Sequence, residues 1–157
     1  MKLLTNPNPQ KDAAKTKVVE ALLPCLADML DLAGNAKLAH WHIRGPQFIA
    51  LHKLFDDFTD TLRAQADRIA ERVVLDLGGQ VLGTAKQVYE ESRLDDFPAE
   101  ERGGEALCTA LVDGAREVSG GLQKARGTCE GVGDADTANL LQDIALAVEH
   151  GAGLIAA

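Results

Sequence analysis

Apolar residues recur at threes and fours along most of this chain, with a few defined interruptions. Between about Asp12 and His42, Val18, Val19, Leu22, Leu23, Leu26, Leu30 and Leu38 follow that spacing, which predicts a helix burying one face. Pro24 falls inside the run and should bend it, unless tertiary packing overrides its preference. In IRGPQ, residues 43–47, Gly45 and Pro46 form a turn, and Pro46 stops any continuous helix there. A second helix is predicted from about Phe48 to Leu77, with Phe48, Leu51, Leu54, Phe55, Phe58, Leu62, Ile69, Val73 and Leu77 on one face and Gly78 and Gly79 ending it.

The following stretch reads as a long connection with one short helix around Thr84 to Ser92; a connection of that length usually crosses from one end of a bundle to the other. A third helix is expected from Glu105 to about Arg126, although Gly114, Gly120 and Gly121 each cost about 1 kcal/mol relative to alanine. Asp134 or Asp136 can cap a fourth, in which Leu140, Leu141, Ile144 and Val148 share a face. With four long helices, one crossover and no strand-like alternation, the expected fold is an all-α four-helix bundle over residues 12–157, with a short extra helix between helices 2 and 3. Residues 1–11, with Pro7 and Pro9, read as a flexible tail.

Charge narrows the class of function. The net charge of -8 disfavours a general nucleic-acid or membrane-surface role, since such surfaces repel an acidic protein. The N-terminus alone is locally basic, with Lys2, Lys11, Lys15 and Lys17 against Asp12. A solvated terminus is the first reading and a weak DNA-contacting arm the alternative, because four spread lysines are a thin electrostatic footprint. Cys25, Cys108 and Cys129 have no CxxC spacing, which points to reduced thiols, buried or partly buried. Neither a signal peptide nor a stretch of membrane-spanning length is present, so a cytoplasmic protein is expected.

The candidate chemistry lies between His40 and Glu71. His52 with Asp56, and Asp67 with Glu71, are spaced i, i+4 on the second predicted helix, so each pair shares a face. Taken singly such pairs are weak signals, because with 24 acids in 157 residues an acid falls four places on roughly one time in seven. Their relation is stronger. Eleven residues, about 1100°, bring Asp67 to within roughly 20° of Asp56 around the axis, yet roughly 16.5 Å along it, too far for one metal. A second copy packed antiparallel across a two-fold axis near Thr61 and Leu62 closes the gap. Residues whose numbers total 123 then meet, so His52 faces the partner's Glu71 and Asp56 the partner's Asp67.

His40, carried back by the Gly45-Pro46 turn, is the natural fifth ligand. Two imidazoles and three carboxylates suit Fe(II), with Mn(II) or Zn(II) as alternatives, and no cysteine is near. Glu-x-x-His pairs of the intrachain di-iron bundle are absent. Trp41 reads first as a packing indole and second as a residue limiting solvent access near the metal. His42 reads as an ordinary half-exposed histidine or a spare ligand, His150 has no visible partner, and Tyr89 is expected to pack the short helix.

The run His40-Trp41-x-Ile43-x-Gly45, then Leu51-His52 five residues later and Asp56 three after that, resembles the first signature of the Dps family, the DNA-binding proteins from starved cells. Asp67-Arg68-Ile69-Ala70-Glu71-Arg72 resembles the core of its second signature, and weaker similarity runs from about Thr16 to Ala138. The resemblance implies a ferritin-like bundle assembled as a hollow dodecamer that oxidises Fe(II), preferentially with hydrogen peroxide rather than O₂, and stores ferric mineral inside. It implies His40, His52 and Asp56 as ligands from one subunit and Asp67 and Glu71 from its two-fold mate, and acidic pores admitting iron, for which Asp134, Asp136 and Asp143 are candidates. The alternative is a nucleoid-compacting DNA binder whose metal site is mainly structural. A purely structural oligomer pinned by Zn(II) is the third.

The chain departs from the family pattern in four places. His42 stands where asparagine is usual, and one extra residue lies between Glu71-Arg72 and Leu77-Gly78-Gly79. The C-terminal AVEHGAGLIAA lacks the usual aromatics and is expected to fray. The N-terminal arm is less basic than in clear DNA binders.

Overall fold

The computed structural model describes the backbone from Pro9 to Ala157 and the side chains from Asp12 onward. Residues 1–8, with Lys2, and the side chain of Lys11 lie outside the described residues, so half of the candidate basic arm does too. Helix α1 spans Pro9–His42 and therefore opens three residues before the expected Asp12, on a proline whose missing N–H needs no partner at a helix start. It runs through Pro24, where Leu22, Cys25 and Leu26 are almost fully buried. Packing of that face outweighs the lost backbone hydrogen bond, as the override reading allowed.

Helix α2 spans Phe48–Glu71 and continues as a π-helical turn over Arg72–Asp76. The turn is closed by Leu77 N–H donating to the Arg72 carbonyl at 3.1 Å, five residues back. One extra residue in an amphipathic helix would rotate everything beyond it out of phase. A π-helical turn holds more residues than an α-helical one, and Val73 within it stays fully buried. Gly78, at φ 72°, then ends the helix as its sequence predicts, since the left-handed region is open to glycine without a Cβ penalty.

The short helix α3 is Ala85–Glu91, with Thr84 and Gln87 forming a capping box. Its connection is latched to α1. Buried Asp28 accepts from the Arg93 backbone N–H at 2.8 Å and from its guanidinium at 2.5 and 3.0 Å, while Asp31 accepts from Ser92 Oγ at 2.6 Å.

Helix α4 is Gly104–Gly131, five residues beyond the expected end at Arg126. Two of the three glycines that weakened the expectation serve close approach, while Gly120 has nothing within 4 Å of where a Cβ would stand. A Cβ on Gly114 would lie 2.9 Å from Leu32 Cδ1, and one on Gly121 would lie 2.7 Å from Arg93 Nη2. Helix α5, Ala135–Ala156, is capped by Asp134, whose side chain accepts from Thr137 N–H. The expected fraying is corrected. The helix holds to Ala156 because Ala152 and Ile155 are buried, and because Gly151 lets the Phe58 ring lie flat against it, where a Cβ would come within 2.5 Å.

Helix α1 packs against α2 and α4, and α5 against α4 and α2, which gives the four-helix bundle. One core runs through it, centred on Leu22, Met29, Leu32, Phe55, Leu62, Leu111, Leu122 and Ile144. Burying each of the larger side chains contributes roughly 1.5–3 kcal/mol. Among the described residues no helix is long and apolar enough to cross a membrane.

Candidate metal centre

The turn between α1 and α2 sets the site. Ile43 is buried at its start, and Arg44 Nη1 donates to three successive carbonyls ending α1, those of Trp41, His42 and Ile43, at 3.1, 3.4 and 2.6 Å. Those carbonyls lack helical partners, and a guanidinium is the cation that can serve several at once. Arg44 N–H also donates to the Arg102 carbonyl at 3.0 Å, tying the turn to the start of α4. Gly104 accepts Leu51 so closely that a Cβ would come within 2.7 Å of Leu51 Cδ1.

This frame places the last turn of α1 beside the second turn of α2. The His40 and His52 rings stack with centroids 3.7 Å apart and planes 20° apart, and Phe48 stacks on His52 at 4.9 Å. His40 Nδ1 lies 2.6 Å from the His52 carbonyl, and His52 Nδ1 lies 2.8 Å from the His40 carbonyl. A carbonyl oxygen only accepts, so each Nδ1 carries the proton and donates. In a neutral ring that arrangement puts the lone pair on Nε2, the form of imidazole that binds metals.

Asp56 follows His52 by one turn and forms an ion pair with Lys37, itself one turn before His40. The hydrogen bond from Lys37, opposed by some desolvation and aided by the two nearby imidazoles, holds the Asp56 carboxyl below its ordinary range. Lys37 is the residue that reading the sequence missed. Its signal was present, since positions 37 and 40 lie on one helical face.

Asp67 and Glu71 stand exposed on α2, with neither a hydrogen bond nor an ion pair among the described residues. By contrast Lys53, Arg68 and Arg72 on the same rod all pair within the chain. No three of the chain's histidine, cysteine, aspartate and glutamate side chains converge as a metal cluster among the described residues. His40 and His52 come together, Asp56 stands one turn beyond His52 in its pair with Lys37, and Asp67 with Glu71 do not join them.

The other singled-out residues sort differently. Trp41 is 59 % exposed and Tyr89 85 % exposed, so neither is the packing residue expected. Trp41 lies on the outer side of the last turn of α1, whose inner side buries Ala39, and α3 buries no side chain of its own. His42 is half-buried with Nδ1 lacking a partner, and His150 is exposed. Asp134 is committed to structure. It accepts from Thr137 N–H at 3.0 Å, Thr137 Oγ1 at 2.6 Å and Arg72 Nη2 at 3.3 Å, and although burial pushes its carboxyl up, these partners bring it below the ordinary range. Asp136 is exposed, and Asp143 lies 3.7 Å from Arg68. Cys25 and Cys129 are buried and Cys108 half-buried, all as free thiols.

The chain matches the ferritin-like domain family over residues 19–152. It is 37 % identical over 140 residues to the DNA protection during starvation protein of Agrobacterium fabrum, covering 89 % of this chain and 86 % of that one. Among solved structures, Dps from Microbacterium arborescens in its high iron form superposes with a TM-score of 0.84 at 27 % identity, covering 94 % of this chain and 93 % of that one. Dps92 from Deinococcus radiodurans gives 0.85 at 27 % identity, covering 92 % and 86 %. Fold, family profile and sequence relatives agree, and the chain belongs to the Dps family of ferritin-like proteins.

Proposed function

We propose that this protein is an iron-sequestering ferroxidase whose active site is completed by a second copy of itself. The observation that carries the reading is the pair of mutually bonded imidazoles. Both rings are locked as Nδ1–H tautomers, leaving two Nε2 lone pairs beside Asp56, while two unpartnered carboxylates wait roughly 16.5 Å along the same helix face. Antiparallel pairing about a two-fold axis brings the partner's Asp67 and Glu71 to His40, His52 and Asp56. The donor set is then nitrogen and oxygen only, which suits Fe(II) as substrate.

The residues divide the work. His40 and His52 supply neutral nitrogen ligands, and the carboxylates favour the harder Fe(III), so binding helps drive oxidation. Each hydrogen peroxide takes one electron from each of two Fe(II) ions, its O–O bond breaks, and two protons complete two waters; O₂ is the alternative oxidant. Trp41, exposed and next to His40 in sequence, is the candidate to limit solvent access from outside the ligand set. The ferric product is stored as mineral inside a hollow assembly, a dodecamer by family resemblance. Asp136 and Asp143 remain available for a pore admitting iron, whereas Asp134 already caps α5. Consuming Fe(II) and peroxide together would protect DNA, the role named for the Agrobacterium fabrum relative, without a DNA-binding surface.

The test is Fe(II) oxidation by the apo-protein with peroxide or O₂, followed by ferric absorbance. His52→Ala and Asp67→Ala are each expected to lose at least tenfold in rate. Wild-type rates in both would overturn the reading.

A further inference from the structure

The outward stripe of α2 carries more than metal ligands. Asp60 and Arg63 lie exposed near its middle, and neither has an ion-pair partner among the described residues. Ile49 is 78 % exposed at one end, and Val74 and Leu75 are 43 % and 72 % exposed at the other. Ile49 precedes Asp60 by eleven residues, and Asp67 follows it by seven, so all three fall within roughly 20° of one another around the axis. In an unbroken α-helix Leu75 would stand about 80° away from Asp67. The π-turn at Arg72–Asp76 turns fewer degrees per residue and rotates Leu75 back towards that stripe.

We propose that this stripe binds a second copy of the chain through two contacts besides the metal site. At the axis, Asp60 pairs with the partner's Arg63, and Arg63 with the partner's Asp60. At each end, Ile49 packs against the partner's Val74 and Leu75, with the π-turn delivering Leu75 to that contact. The inference rests on the antiparallel pairing proposed above and adds what holds it. Residue numbers totalling 123 meet in that pairing, and the rule returns opposite charges at the middle and apolar side chains at the ends, although neither entered its derivation. A stripe with matched charge at the axis and large exposed apolar groups at both ends is self-complementary under a two-fold, as an isologous interface must be. Ile49 lies one turn before His52, and Leu75 one turn after Glu71. The apolar contact therefore closes the outer end of each metal site against water.

Two charge reversals test this. Asp60→Arg sets cation against cation in both pairs at the crossing and Arg63→Asp anion against anion, so each variant alone repels its own copy. Each is expected to dissociate at concentrations at least tenfold higher than wild type by sedimentation velocity, with helicity by circular dichroism unchanged. Mixed in equal amounts, the two should reassemble, because the heterodimer restores both pairs. Intrachain roles for Asp60 or Arg63 cannot produce that rescue. Single variants that assemble as tightly as wild type, or a mixture that stays dissociated, would overturn the proposal. If one single variant does not fold, the double variant Asp60→Arg/Arg63→Asp carries the test, and a dimer no tighter than that of the single variant that folds is the overturning result. At the ends, Ile49→Asp and Leu75→Asp should each weaken assembly similarly. None of these residues is a proposed ligand, so the two readings separate. Reassembly without Fe(II) oxidation would sink the ferroxidase, and wild-type oxidation without rescue would sink the interface.

Discussion

Two imidazoles donating to each other's backbone set the chemistry at the scale of single residues. They make His40 and His52 one unit, so losing either ring frees the other's orientation as well as removing a proposed ligand. Lys37 works against them by neutralising Asp56 with a tethered ammonium that an incoming cation must displace. Lys37→Gln is therefore expected to tighten binding of a divalent ion at the proposed centre several-fold, measured by calorimetric titration of the apo-protein with a redox-inert divalent ion. The buried thiols give a second residue-scale outcome. Burial pushes Cys25 and Cys129 up from 9.0 to about 11, so the folded state holds their protons more tightly than the unfolded chain does. Stability from this source is fully present below pH 9, and is lost as pH rises towards about 11. Chemical denaturation at pH 8, 9.5 and 11 should show that fall, and a thiol reagent at pH 8 should modify half-buried Cys108 well before the other two.

Among the elements, the crossover is what the bundle must restrain. α3 buries none of its own side chains, so the latch of Arg93 on Asp28 and Ser92 on Asp31 does the holding, helped by Leu94 and Phe97 on the core. Asp28 is 3 % exposed and Arg93 48 %. Arg93→Ala would leave a buried carboxylate without its cation, at a cost of roughly 2–3 kcal/mol, below the roughly 3–5 of a fully buried pair because Arg93 is half in water. Calorimetric unfolding measures it. Gly121→Ala should destabilise through the same latch, since its new methyl would push on Arg93. Helix periods, the turn and both ends of α3 were legible in the sequence because each has a local cause. The extent of α4 was not, because its glycines look like breaks until Leu32 and Arg93 are seen against them.

For the whole molecule, the proposed centre takes three ligands from one chain and two from its partner, so that each chain would be half of two sites. Mixing His52→Ala with Asp67→Ala tests that directly. Random pairing makes about half of the dimers heterodimers, each with one intact site and one doubly broken, so activity should recover to about one quarter of wild type. A site confined to one subunit predicts no recovery.

By itself the sequence determined the helices, the turn at Gly45 and Pro46, and the eleven-residue offset that splits the ligands, because these depend on spacing along a rod of known pitch. The third dimension decided what spacing cannot carry. It stacked His40 on His52 with each Nδ1 on the other's carbonyl, set Lys37 on Asp56, committed Asp134 to a cap, left Trp41 and Tyr89 in the open, and wound Arg72–Asp76 as a π-turn. Each of these depends on which side chains distant segments bring within a few ångströms, and that is fixed only when the whole core packs.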